Sequence, residues 1–564
     1  MTSSGVRTRE RLLAAVLASL LFLAAVLGIS RARTAVDEAG RPATAPGVAP
    51  SPSVPAVPSP PTVPPAPTDE PDPSLGLADP DAAAALGADG LLTAGLATAQ
   101  GPWRDLGHAS WPTRDERPVY VGAVELGDAP ARVVADLVVA TRLADATDEL
   151  VLRFLPAAAA LGEGTELSVS GTVDGEPSDL TIDRDGARLV VPLGAQRDAG
   201  DAVLVRLAVD YRLVTVGAIV DDGGPAAFGL LATHPGVATL GHWLPLLTLP
   251  GEDGPMVPWG DVGGFPAAIW SLRTVHDGVL VTGGRDEPCP DEEPAPDGRR
   301  CSWSRGIALR DVSAVRYLEE PVTTVAEVAG VRYRVAASVG TRGGAAEVLA
   351  EVVASATSFD ARFGALAWDE VDTVAVPLGR GAAGMEFPGL SLIDDEQWSN
   401  LGGGFGTAVI VHEVAHQWFH ALVGNGSLTS PVVDESLAQY LSFLSWRDRF
   451  GDDGARAYAE RYFLGRYAAA RARGVEDEPP AQPLDAFPDA ETYGVMVYAR
   501  SPLAWLAAEE QLGVEAVEAF LAGVVRRHGL AEVSDRQLTE DAFAFDPALG
   551  AILQGIWFSD EPLG

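Results

Sequence analysis

The spacing of the apolar residues changes near residue 320, and no other feature limits the possible folds so strongly. Before that point the period is two. Val203, Val205, Leu207, Val209 and Tyr211 alternate with Arg206, Asp210 and Arg212, the pattern of a strand with one buried face. Asp185-Gly186 separates two apolar runs in L-T-I-D-R-D-G-A-R-L-V-V, a hairpin signal. Residues 133–140 and 150–155 read as further strands. After that point the spacing is helical over residues 345–358, 408–422, 434–450, 455–470 and 501–526, with a strand-like stretch at 371–378. The expected fold class is α+β: an N-terminal antiparallel β-sandwich-like domain over residues 103–320, followed by a mainly helical domain over residues 321–564.

Two segments ahead of the sandwich differ in composition. Arg7, Arg9 and Arg11 precede an almost wholly apolar run from Leu12 to Ile29, and Arg31 and Arg33 follow it. The run is long enough to span a membrane, and no small-x-small cleavage site follows it directly. Residues 1–33 are therefore expected to form a signal anchor, a single-pass transmembrane segment with the bulk of the chain outside the cell; cleavage there would instead give a secreted protein. Residues 34–102 read as a Pro/Ala-rich linker, extended at about 3 Å per residue where prolines dominate. Its last part, to about residue 100, is rich in Ala, Leu and Gly and reads as a short helix or as more linker.

The two cysteines, Cys289 and Cys301, stand in a polar, Pro-rich loop without nearby histidines. A disulfide is expected there, worth roughly 3 kcal/mol for so short a loop. The net charge is -38, and no basic stripe is present to neutralise phosphates, which excludes nucleic acid as a partner. The sequence contains no lysine; all 40 permanently basic side chains are arginine.

Residues 409–420 read V-I-V-H-E-V-A-H-Q-W-F-H. His412 and His416, at i and i+4, project from one helical face toward one ion. Glu413 flanks that face and can reach a metal-bound water without being a ligand. Zinc suits imidazole and carboxylate donors, and a catalytic zinc takes three protein ligands. His420 is two helical turns from His412, roughly 12 Å, and reads as a structural or supporting group. Downstream, P-V-V-D-E-S-L-A-Q-Y-L places Glu435 after His416 with eighteen residues between. Asp434 reads as a helix cap and Glu435 as a first-turn residue facing back toward the histidines.

These residues resemble the M1 family of zinc metallopeptidases, gluzincins that include aminopeptidase N. The family pattern is HExxH, eighteen residues, then Glu. Three further stretches match it in order: G-H-W-L-P-L-L at 241–247, A-G-M-E-F at 383–387 beside the family's G-A-M-E-N, and V-Y-A-R-S-P, whose Tyr498 aligns with the tyrosine before the family's K-G-A. The resemblance implies a thermolysin-like catalytic domain and one Zn2+ held by His412, His416 and Glu435. It implies Glu413 as general base, Tyr498 as hydrogen-bond donor to the oxyanion, and Glu386 as partner of the substrate's free α-amine. Tyr493 is the rival tyrosine, with a buried structural phenol as its ordinary reading. Peptides are the expected substrates and aminopeptidase action the expected reaction; an endopeptidase or other zinc hydrolase with an open cleft, or a weakly catalytic tethered binding module, are the alternatives. Phe387 departs from the family's Asn and removes polar contacts near the amine site. Arg500-Ser501-Pro502 stands for Lys-Gly-Ala, as a lysine-free chain requires for the first position. The 66 residues after Tyr498 are too few for the family's large C-terminal helical domain, so a more open cleft is expected.

Overall fold

The computed structural model describes residues 77, 79–98, 117–127, 132–161, 166–215, 228–289, 298–341, 343–379 and 382–563. The expected anchor and the Pro-rich part of the linker lie outside the described residues. Among the described residues no helix is long and apolar enough to cross a membrane. This corrects the expectation of a single-pass membrane protein with its catalytic part outside the cell. The apolar helices that are described pack into the protein core.

Residues 80–98, read above as a short helix or linker, form two helices, α1 (Pro80–Ala85) and α2 (Gly87–Thr98). They account for apolar residues on the second face of the neighbouring sheet. Leu77, Ala83, Leu91 and Leu92 pack with Val119, Val121, Val138, Ala140, Leu204 and Ile269 in a cluster of their own.

The β-rich part holds an eight-stranded sheet, in spatial order Arg285–Pro288, Arg300–Leu309, Ala268–His276, Val119–Leu126, Arg132–Arg142, Ala202–Arg212, Leu167–Val173 and Glu176–Ser178. Its pairs are antiparallel except Val119–Leu126 with Ala268–His276, which run parallel. The sheet is thus mixed where pure antiparallel pairing was expected. A four-stranded sheet built on Thr147–Arg153 and Arg188–Arg197 includes the predicted hairpin, with Asp183 opposite Arg188. Trp243 of the W-x-P stretch is buried; its indole donates to Val312 O, and its own carbonyl accepts from the Tyr211 hydroxyl. Cys289 and Cys301 are disulfide-bonded.

A five-stranded sheet follows, ordered Val322–Val328, Val331–Ala337, Glu370–Val376, Leu390–Asp394 and Gly384–Phe387. Its three middle strands are parallel, and Gly384–Phe387 is an antiparallel edge strand. Helix α3 (Ala345–Phe363) packs against it, followed by α4 (Phe405–Ala415) and α5 (Val432–Ala459). The chain continues through a π-turn at Glu460–Leu464, α6 (Gly465–Arg473), α7 (Ala490–Val495), a second π-turn at Met496–Arg500, α8 (Leu503–Leu512), α9 (Val514–His528), α10 (Asp535–Phe545) and α11 (Pro547–Trp557). The single helix expected over 501–526 is two, because Gly513 adopts a φ of 90° that breaks the ladder.

Candidate active site

Helix α4 ends at His416 and does not run to residue 422 as its apolar spacing suggests. His420 lies beyond it with a φ of 138°. The chain then turns back, and α5 brings Glu435 into its first turn, where the helix N-terminus favours a carboxylate. The N-cap of α5 is Pro431, so Asp434 is a first-turn residue and not the expected cap.

The ligand atoms of His412, His416 and Glu435 lie within 4.8 Å of one another. His412 Nε2 is 3.1 Å from Glu435 Oε2 and 3.1 Å from His416 Nε2, and His416 Nε2 is 3.5 Å from Glu435 Oε2. Three lone-pair-bearing atoms this close repel one another unless a proton or a cation lies between them. His416 Nδ1 is 3.1 Å from Phe419 O, which fixes Nδ1–H as donor and turns the Nε2 lone pair inward. Two imidazole nitrogens and one carboxylate oxygen are the donor set of a catalytic zinc, and they fit it. Burial alone would raise the Glu435 pKa, but hydrogen bonds to both histidines hold it below the ordinary carboxylate range. Burial would lower that of His416, yet Glu386, Glu435 and Glu413 together raise it well above the usual imidazole value.

Glu413 and Glu386 face each other beside this cluster. Ligand atoms of Glu386, Glu413 and His416 also lie within 4.8 Å of one another. Burial, and then the charge of Glu386, push the Glu413 carboxyl well above its ordinary pKa, and Glu413 Oε2 is buried without a hydrogen-bond partner among the described residues. Burial raises Glu386 to about 7. Glu386 is held in place from both sides. It pairs with Ser391 in the edge-strand register. Gln417, just past α4, accepts from Gly389 N at 2.8 Å and donates to Phe387 O at 3.1 Å, tying the edge strand to the histidine helix.

The Tyr498 hydroxyl donates to Glu435 Oε1 from the second π-turn, a local widening common at functional sites. Tyr493 is buried and meets the Tyr498 ring edge-on at 5.8 Å. Arg500 points away, donating to Glu478 O and Glu561 O.

His420 Nδ1 is 3.1 Å from Asp434 Oδ2. On its other side it approaches a residue that sequence reasoning missed. Ligand atoms of Asp261, Glu386 and His420 lie within 4.8 Å of one another. Asp261 comes from a loop of the β-rich part and is 3.8 Å from His242, which is also 3.1 Å from Asp311. Burial would lower the pKa of His242, but the two aspartates raise it to about 9. Only the fold joins Asp261 to Glu386, so no local pattern announced it. Phe387 packs edge-on against His242, with ring centroids 5.0 Å apart, which gives the departure from Asn a structural role.

Residues 357–546 match the model of the peptidase family M1 domain. They form an M1 peptidase domain. The match contains Glu386, His412, Glu413, His416, Glu435 and Tyr498. The fold of the chain is similar to that of the M1 zinc metallopeptidase from Deinococcus radiodurans, at a TM-score of 0.57 and 18% identity over 80% of this chain and 94% of that one. A mutant of that enzyme bound to a Tyr-Ser-Ala substrate gives 0.57 and 17% over 80% and 94%. A two-domain M1 zinc metallopeptidase mutant bound to L-tryptophan gives 0.59 and 17% over 80% and 95%. No curated protein matches the chain. The match to the family model supports zinc-dependent peptide hydrolysis.

Proposed function

We propose that this peptidase removes N-terminal residues from short peptides. The observation that carries the reading is Glu386: a buried carboxylate beside Glu413 and His416, with no arginine among the groups that shift it. A buried carboxylate is costly unless positive charge stands beside it; His416 and His420 act on Glu386 in that sense, and the free α-amine of a peptide adds a full cation. Asp261 adds a second carboxylate on the same side. In this reading the β-rich domain over 103–320 contributes Asp261, and the catalytic domain over 321–564 contributes the rest. The solved M1 peptidases bound to L-tryptophan and to Tyr-Ser-Ala carry ligands of this class.

We assign His412, His416 and Glu435 as the zinc ligands. The zinc, when bound, polarises the scissile carbonyl and makes a water nucleophilic near neutral pH. Glu413 takes the proton of the attacking water and returns it to the leaving amine. Tyr498 donates its hydroxyl hydrogen to the oxygen on which charge develops. Glu386 holds the α-amine one residue from the cleaved bond and so fixes the exopeptidase register.

The test is turnover of aminoacyl fluorophores against N-blocked peptides, each with and without a chelator. Chelator-sensitive cleavage confined to free-amine substrates is expected, with Glu386→Gln raising KM for them. Cleavage of blocked peptides at comparable rates would instead favour an endopeptidase.

A further inference from the structure

We propose that Arg466, on α6, binds the C-terminal carboxylate of the substrate and thereby selects short peptides. This rests on the aminopeptidase reading for the direction of the bound chain, but its own evidence is separate.

Arg466 Cζ lies 5.9 Å from the centroid of the Tyr498 ring, and the His412 ring lies 6.0 Å from the same centroid. The guanidinium is thus within one aromatic ring of the proposed zinc centre. It stays exposed to solvent, so a ligand can reach it. Its surroundings are nonetheless crowded, and that desolvation lowers its pKa. The ionisable groups acting on it are Tyr498 and Arg473, with no carboxylate among them. Arg473 is itself engaged by Glu491 at 2.7 Å. Elsewhere arginines of this acidic chain are matched to carboxylates, as Arg334 is to Asp372 and Arg447 to Glu509. Gly494 on α7 leaves the room the guanidinium occupies; a Cβ there would stand 3.0 Å from Arg466 Nη2.

The chemistry this arrangement recognises is a planar anion. Arginine presents a fixed fork of donors suited to a carboxylate. A chain with net charge -38 repels an anionic peptide terminus at long range, so a cation beside the proposed centre is what allows such a terminus to bind. An extended peptide advances about 3.3–3.6 Å per residue. A carboxylate two or three residues beyond the cleaved bond therefore reaches the Arg466 side of Tyr498, which makes tripeptides and tetrapeptides the favoured lengths.

The experiment uses the full chain with zinc bound and the Glu413→Gln background, in which peptides bind without turnover. Dissociation constants are measured for trialanine as the free acid and as the C-terminal amide. The acid should bind about tenfold tighter, as expected for charge-assisted hydrogen bonds in a partly desolvated site. Adding Arg466→Gln should bring the acid-to-amide ratio close to one, Arg466→Lys should keep part of it, and amide binding should be unchanged in both. A ratio already near one without the Arg466 substitution overturns the proposal, even if no variant folds; so does a ratio that survives Arg466→Gln. Hydrolysis of an aminoacyl fluorophore by the unsubstituted enzyme reports separately on the aminopeptidase reading, because that substrate carries no terminal carboxylate.

Discussion

The Tyr498 hydroxyl donates to one oxygen of Glu435 while the other oxygen of the same carboxylate lies 3.1 Å from His412 Nε2. The phenol therefore rests on the carboxylate proposed as a zinc ligand and is free to exchange that bond for one to substrate. Burial, then the charges of Glu435 and Tyr493, raise its pKa well above the ordinary phenol value, so it remains a donor at any working pH. Tyr498→Phe should retain zinc and lose about 10²–10³-fold in kcat, the usual cost of one oxyanion donor. Zinc content by atomic absorption and steady-state kinetics check both halves.

Glu413→Gln removes the proton acceptor and keeps the shape. General-base loss typically costs about 10²–10⁴-fold. We expect that fall in kcat, with zinc content and the binding of uncleaved peptide retained. Activity equal to that of the unsubstituted enzyme would refute the general-base assignment.

Gly384 stands where the family motif carries alanine, and the site geometry supplies a reason. A Cβ at Gly384 would lie 2.3 Å from Glu413 Oε1 and 2.6 Å from Glu413 Cγ. The obstructed group is the end of a flexible side chain, so Gly384→Ala should fold and bind zinc, with Glu413 displaced from its resting position. Catalysis depends on sub-ångström placement, and kcat should fall at least about tenfold. Unaltered kcat would show that Glu413 works from another rotamer.

Local chemistry pointed to the His412–His416–Glu435 cluster in the sequence itself, and the fold brings the three together. The i, i+4 histidines had to share a face, and the eighteen-residue spacing singled out Glu435. The exclusion of His420 rested on a helix two turns long, whereas in the fold α4 stops at His416 and His420 turns toward Asp434. Apolar spacing could not reveal that stop, because residues 417–419 and 421–423 are buried in a turn as fully as a helix would bury them. The same limit hid the parallel pairing of Val119–Leu126 with Ala268–His276: alternation marks a buried face and not a neighbour's direction. Asp261 and Arg466 were invisible for a further reason. Each acquires its meaning from a residue remote in sequence, and neither belongs to a motif.

Zinc binding should be linked to protons, with a definite sign. In the metal-free protein His416 is held protonated, since burial is outweighed by Glu386, Glu435 and Glu413, and the Glu386 carboxyl is raised to about 7, chiefly by burial. A ligand must shed its proton to bind, so apparent zinc affinity should climb by about tenfold per pH unit for each proton released. Stability follows the same groups. His416 and Glu386 both have folded pKa values above their unfolded ones, so at these two groups the metal-free fold holds more protons than the unfolded chain. Their contribution is complete below the unfolded values and is lost as pH rises through the folded ones. Glu435, with its lowered pKa, acts oppositely, and in acid below the ordinary carboxylate range. Between about pH 5 and pH 8, melting temperature should therefore fall with rising pH in chelated protein and fall less in zinc-loaded protein, because bound metal stabilises with the logarithm of its affinity. A gap between the two melting curves that stays constant across that range would contradict a protonated His416 at the empty centre.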